Sequence, residues 1–263
     1  MAARGRPTPQ PVTQERPRFR DRRTPKRTGV NPYLDLHRAF DERLLPADVA
    51  WTLRDRWAEH FQREAPLVLE VGAGNGEFLA ELAARNPDTN FVAIELRYKR
   101  TVLVAKKLQA RGLTNAVIVR YHAAFLDDLF LDGSLAGVWM NHPDPWPKER
   151  DEKNRLVSRW FLEDVARLVR PGGFYHLKSD HRPHLDRAEQ VLDQGPDGEA
   201  APRLPFEVVG RSEDVTRGPA PWPDDIETLF QSRFRKQGLP VYAVAFRRTE
   251  DPLPPGALRS PIP

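Results

Sequence analysis

The stretch Glu70-Val71-Gly72-Ala73-Gly74-Asn75-Gly76-Glu77 sets three glycines at alternate positions behind an apolar run, with a carboxylate on either side. Glycines so spaced let the backbone turn sharply and approach a bound group with no Cβ in the way. Twenty-three residues past Gly72, a second apolar run closes on Glu95, where a carboxylate can accept hydrogen bonds from ribose hydroxyls. A dinucleotide fingerprint reads G-x-G-x-x-G and seats a pyrophosphate on the following helix N-terminus. Here the spacing is G-x-G-x-G, and Glu70 and Glu77 would repel a pyrophosphate. The same charges suit a cationic nucleotide. S-adenosylmethionine, with its sulfonium and amino groups, is the cofactor this pattern points to, and Glu70, Gly72, Gly74, Gly76 and Glu95 are its candidate contacts.

A second constellation begins after the apolar run 137–141, as His142-Pro143-Asp144-Pro145-Trp146-Pro147-Lys148. Three prolines fix φ and remove three amide donors, so Asp144 and Trp146 are presented in set directions. Asp144 is the candidate catalytic carboxylate and also a neighbour of the cofactor. Trp146 is either a stacking platform or a plug that orients the loop. Asp180, His181 and His184 lack a convincing metal-ligand pattern, and no metal is expected. Neither a Gly-x-Ser-x-Gly elbow nor a P-loop lysine is present, so hydrolase and P-loop readings have no support.

These residues need elements to hold them. The pattern predicts strands at Leu67–Val71, 91–95, Ala116–Arg120, 137–141, 174–179, 206–209 and 241–246. Helices are predicted at Glu77–Arg85, 97–111, 159–169, 185–193 and around 228–236. Helix 97–111 keeps Val102, Ala105 and Leu108 on one face, and helix 159–169 should stop at Pro171-Gly172-Gly173. Strands alternating with helices of this length imply an α/β, doubly wound, mostly parallel seven-stranded sheet. The late pairing of 206–209 with 241–246 would give it an antiparallel edge strand. Residues 32–66 read as one or two helices docking before the first strand.

The chain has 263 residues, 40% apolar and 30% charged, with no cysteine. That excludes disulfides, thiolate metal sites and cysteine nucleophiles. No run approaches the ~18 apolar residues of a membrane span, and the start lacks an apolar signal segment, so a cytoplasmic, membrane-free protein is expected. Charge is unevenly spread. Residues 1–28 hold nine basic and two acidic residues, a net +7 within a chain of net +4, which leaves the remainder at −3. The organisation expected is a basic, Pro/Arg-rich disordered leader over 1–31, a catalytic domain over 32–250 and a Pro-rich tail over 251–263. A basic arm of this kind is drawn to phosphate backbones.

Taken with its surroundings, the 143–148 loop resembles that of the bacterial tRNA (guanine-N7)-methyltransferase family, and the likeness runs over roughly residues 50–248. The Glu70–Gly76 turn with Glu95, the Pro143–Lys148 loop, Lys178-Ser179-Asp180 and Thr228-Leu229-Phe230-Gln231 before Gly238 carry it. The resemblance implies a class I methyltransferase fold, S-adenosylmethionine as cofactor and a guanine in the tRNA variable loop (position 46) as substrate. It also implies cofactor contacts from Glu70, Glu95 and the position of His122, and Asp144 at the active centre. Lys148, Asp180, Thr228 and Gln231 would contact the guanine or its nucleotide, and Arg150, Lys153 and Arg155 the RNA. Four positions depart from the family pattern. His122 stands where Asn or Asp is usual, Asp151 for His, Asn154 for Arg and Gln231 for Glu. Interleaved Glu149, Asp151 and Glu152 leave residues 148–155 at only +1, so the leader is expected to supply the missing attraction for tRNA. Two other readings stay open: a methyltransferase acting on an amine of another nucleic acid or protein, and a non-catalytic tRNA-binding relative. Monomer and homodimer are equally compatible with the sequence.

Overall fold

A computed structural model describes residues 19, 32–40, 42–146, 155–194 and 202–254. The described chain opens with α1 (Pro32–Arg38), a two-residue strand β1 (Leu44–Leu45), α2 (Ala47–Thr52) and α3 (Trp57–Phe61). There follow β2 (Leu67–Val71), α4 (Glu77–Arg85), β3 (Asn90–Glu95), α5 (Tyr98–Ala110), β4 (Ala116–Arg120) and a 3-10 turn at Ala123–Asp128. The second half holds β5 (Leu135–Asn141), α6 (Arg159–Leu168), β6 (Val169–Ser179), α7 (Arg182–Glu189), β7 (Phe206–Ser212), α8 (Leu229–Gln237) and β8 (Tyr242–Arg248).

The strands form one sheet in the order β1-β4-β3-β2-β5-β6-β8-β7. Pairing is parallel from β1 through β6, and β8 runs antiparallel to both β6 and β7. All seven expected strands are present, with the antiparallel pairing at the expected end of the sheet. The eighth, β1, joins only because Leu44 and Leu45 pair with Ile118 and Val119; two residues are too few to leave a periodic signal. The expected leading helices are three short ones. Trp57 of α3 anchors them by donating its indole N–H to the Leu129 carbonyl at 2.8 Å.

Side-chain alternation sorts the central strands onto two cores. Leu67, Leu69 and Val71 of β2 face the side covered by α2, α3, α6 and α7, whereas Val68 faces the side covered by α4 and α5. Glu70 shares the Val68 parity, yet it sits at the carboxyl end of β2. Helix α6 ends at Leu168, before the Pro171-Gly172-Gly173 turn as expected. It passes directly into β6, which carries the turn as an irregularity in its register with β5.

β2, β3 and β4 step to one side of the sheet and β5 and β6 to the other, so the order reverses between β2 and β5. In such a sheet the crevice beyond the carboxyl ends at that reversal is where ligands bind. Of the leader, only Phe19 lies within the described residues; its ring packs 4.9 Å from that of Tyr121 and takes the Arg120 guanidinium at 5.4 Å. The expected disorder of the leader and most of the 251–263 tail fall outside the described residues.

Candidate active site

A cavity of about 620 Å³ opens at the reversal point, walled by the ends of β2, β3 and β5 and by the first turn of α8. Its floor is the glycine turn. Gly72 and Gly74 take φ of +80° and +56°, a backbone conformation costly to a side chain, and the amides of Gly72 and Ala73 donate to the Ile94 carbonyl of β3. Gly76 does not line the cavity. A Cβ there would meet Val104 of α5 at 2.9 Å, so this glycine lets two helices approach.

Glu70 lines the cavity at 2% exposure, and its Oε2 has no hydrogen-bond partner. Burial pushes its carboxyl up to about 8; the Asn141 side chain opposes this shift and the charge of Glu95 adds to it. An orphaned carboxyl oxygen facing a cleft is the feature a cationic ligand would satisfy. Glu77 is different. Its carboxylate is taken by the Lys107 ammonium, so it adds little to the acidic character expected of the turn, and Arg100, hydrogen-bonded to Asn75 at 2.6 Å, brings a positive charge to the same floor.

Glu95 turns one oxygen back to its own chain, where Oε1 accepts from the amides of Leu96 and Arg97 at 2.8 and 3.0 Å. This fixes the carboxylate at the mouth of β3. His122, in the position where the family pattern has Asn or Asp, caps the turn that follows: its Nδ1 accepts from the Ala124 amide at 3.0 Å. Burial holds its ring below the ordinary histidine range. The neutral ring then carries its proton on Nε2.

The opposite wall comes from the proline loop and α8. Asp144 and Trp146 line the cavity and are exposed, and Arg155 steadies the loop by donating from Nε to the Trp146 carbonyl at 3.1 Å. That contact gives Arg155 a structural task beside the RNA contact expected of it. Lys148, Arg150 and Lys153 lie outside the described residues, as do Asp151 and Asn154.

Thr228 lines the cavity and caps α8, its hydroxyl accepting from the Gln231 amide at 3.0 Å. Gln231 itself turns inward. At 4% exposure its carbonyl oxygen accepts from Lys178 Nζ at 2.8 Å and its amide donates to the Val215 carbonyl at 3.1 Å. Gln231 does not line the cavity, and in this structure it serves as a helix cap that supports a buried lysine. Asp180 stands just behind the cavity wall with Oδ1 against His142 Nδ1 at 3.2 Å. Burial would raise its carboxyl, but the hydrogen bond from His142 and its own amide hold it below the ordinary aspartate range.

His142 was not singled out in the sequence, where it only opens a proline loop. Its partners Asp180 and Thr228 lie 38 and 86 positions away, a separation no local spacing can reveal. Among the described residues no cluster of three His, Cys, Asp or Glu could hold a metal, and no helix is long and apolar enough to cross a membrane.

A family model described as "Putative methyltransferase" matches residues 64–241. The tRNA (guanine-N(7)-)-methyltransferase of Geobacillus kaustophilus (strain HTA426) is 33% identical over 73% of this chain and 83% of its own length. The protein of the same name from Alkalilimnicola ehrlichii is 36% identical over 73% and 76%. Of solved structures, an antibiotic-related methyltransferase superposes with a TM-score of 0.50 at 14% identity, over 73% of this chain and 92% of that one. The 30S ribosomal A1408 methyltransferase from an uncultured bacterium gives 0.50 at 14%, over 74% and 94%. At these identities the structural likeness shows the class I methyltransferase fold alone.

Proposed function

Since the chain belongs to the tRNA (guanine-N7)-methyltransferase family, we propose that it transfers a methyl group from S-adenosylmethionine to N7 of a guanine in tRNA. The observation that carries this reading is the buried, half-orphaned carboxyl of Glu70 on one side of a cleft whose other side presents Asp144. Glu70 takes a positive group, Glu95 the ribose hydroxyls, and the Nε2–H of His122 a base acceptor, so each end of the cofactor meets a residue of matching polarity.

Bound S-adenosylmethionine supplies an electrophilic methyl carbon. Guanine N7 carries an in-plane lone pair and loses no proton as it attacks, so no general base is required of the protein. What the residues must do is hold the base in line. Positioning of this kind supplies ~7–11 kcal/mol of a bimolecular barrier. Positive charge then develops on the purine, and carboxylates fixed before the reaction stabilise it best. Asp144, on the cavity wall, would accept from the N1–H and N2–H₂ edge of guanine, and the Asp180 carboxylate behind the wall would add its charge. Trp146 and Phe230, both substantially exposed at the rim, offer rings on which the base stacks.

In this reading tRNA is the partner, met in the cytoplasm, and the basic leader together with the 148–155 stretch meets its phosphates. The test is incubation with unmodified bulk tRNA and labelled S-adenosylmethionine, followed by nucleoside analysis. Label in 7-methylguanosine is expected. Label on an exocyclic amine, or none, overturns the assignment.

A further inference from the structure

His142 is the first residue after β5, and it is built into the wall in an unusual way. Its backbone takes φ of 49°, a left-handed conformation that side chains rarely adopt, and its amide donates to the Lys178 carbonyl at 2.7 Å. The side chain is 4% exposed. The ring lies 5.5 Å from that of Phe230 and is stacked 6.0 Å from that of Phe234. Nδ1 meets Asp180 Oδ1 at 3.2 Å, and Nε2 meets Thr228 Oγ1 at 2.9 Å.

The protons in this chain have one self-consistent arrangement. Thr228 Oγ1 already accepts from the Gln231 amide, which leaves its own hydrogen free to be donated. An ionised Asp180 can only accept. The neutral imidazole therefore carries its proton on Nδ1, donates to Asp180 and accepts from Thr228 on Nε2. One ring thereby joins the loop that presents Asp144, the end of β6 that presents Asp180 and the first turn of α8, which presents Phe230.

We propose that His142 is a positioning residue for the methyl transfer: as the neutral Nδ1–H tautomer it sets the Asp180 carboxylate and the α8 turn against the bound guanine, and protonation of the ring undoes that setting. This deepens the reading above and rests on it for the identity of the base. Burial pushes the ring below the ordinary histidine range while Asp180 pulls the other way and Lys178 adds to the lowering. The groups facing it are Asp180 and the buried Lys178 from β6, and Thr228, Phe230 and Phe234 from α8, with Arg233 set against the Phe230 ring. A protonated ring must donate from both nitrogens. It then neutralises Asp180 as an ion pair, and it turns the Thr228 hydroxyl hydrogen away. The carboxylate is thus withdrawn from the charge that grows on the purine.

The experiment compares the wild type with His142→Phe, which keeps the stack on Phe230 and Phe234 but removes both hydrogen bonds, and with Asp180→Asn. Histidine ¹H–¹⁵N spectra of the free protein should show His142 as the Nδ1–H tautomer, and Asp180→Asn should remove that preference. With both substrates saturating, wild-type kcat should fall on the acid side at the midpoint read from the His142 resonances. His142→Phe should bind S-adenosylmethionine within twofold of wild type, lower kcat at neutral pH about tenfold and lack the acid-side fall. The double variant should be no slower than Asp180→Asn alone. An Nε2–H tautomer, or a His142→Phe enzyme with wild-type kcat and an unchanged pH profile, overturns the proposal. If His142→Phe does not fold, the tautomer in wild type and Asp180→Asn decides the matter. A wild type that makes no 7-methylguanosine defeats the functional reading instead, and the spectra are independent of that outcome.

Discussion

At the scale of single residues, Glu70 and Asp144 stand on opposite sides of the cleft, and the proposed reaction gives each a separate test. Glu70 has its carboxyl raised to about 8 by burial, so at neutral pH the ligand-free protein holds it mostly protonated, whereas a cationic ligand requires the carboxylate. Cofactor affinity should therefore rise with pH and level off above about 8, with a proton released on binding near pH 7. Calorimetry in buffers of different ionisation heat would register that proton. Because the folded value exceeds the ordinary glutamate value of 4.5, this group's contribution to stability is complete below that value and is lost as pH rises through 8. Glu70→Gln should abolish both the proton release and this loss, and weaken cofactor binding at least tenfold. Asp144 lies on the other wall. Asp144→Ala should reduce turnover by two orders of magnitude or more while tRNA affinity stays within a few-fold. Surviving activity would remove Asp144 from the active centre.

At the scale of elements, the first turn of α8 shows what the structure does with Gln231, one of the positions that depart from the family pattern. Thr228 and Gln231 close a capping box on the helix, which is the local signature of a helix start. The same Gln231 gives its carbonyl to Lys178, a lysine with 0% exposure that also bonds Asp225 at 2.7 and 3.0 Å and the Ile226 carbonyl at 3.3 Å. Burial lowers the lysine's proton affinity against the pull of Asp225, so each acceptor around it counts. Gln231→Ala should cost about 1–3 kcal/mol, the penalty of leaving a buried polar group short of a partner, read as a lower urea midpoint. The KM for tRNA should not change. A KM effect without loss of stability would return Gln231 to the substrate site.

At the scale of the whole molecule, charge and shape pull apart. The described body is not the basic part of the chain; the excess sits in residues 1–28. Phe19 is set against Tyr121, and Tyr121 lines the candidate active-site cleft, so deleting the leader would disturb two things at once. Replacing its arginines with glutamine while keeping Phe19 separates them. The slope of log K for tRNA against log salt should then flatten by ~0.7–0.9 for each phosphate that the leader no longer neutralises, with cofactor affinity unchanged. An identical slope would show that the leader does not touch the phosphate backbone.

Much of this protein was legible from residue order alone. Leu67–Val71, Glu77–Arg85 and Ala116–Arg120 stand where the pattern puts them, because apolar runs and helical periodicity are local signals that burial on both faces of a sheet makes strong. The glycine turn, Glu95 and the proline loop were visible for the same reason: each is a short-range backbone or charge pattern. What only the tertiary structure decided is which side chains meet. That Gln231 is consumed by Lys178, that Glu77 is neutralised by Lys107 across two helices and that Gly76 serves helix packing depend on side-chain directions and distances set by packing. The link from Asp180 through His142 to Thr228 joins residues far apart in the chain. Hydrogen bonds act over about 3 Å of space whatever the separation along the backbone, so their partners exist only once the sheet has brought the three strand and helix ends together.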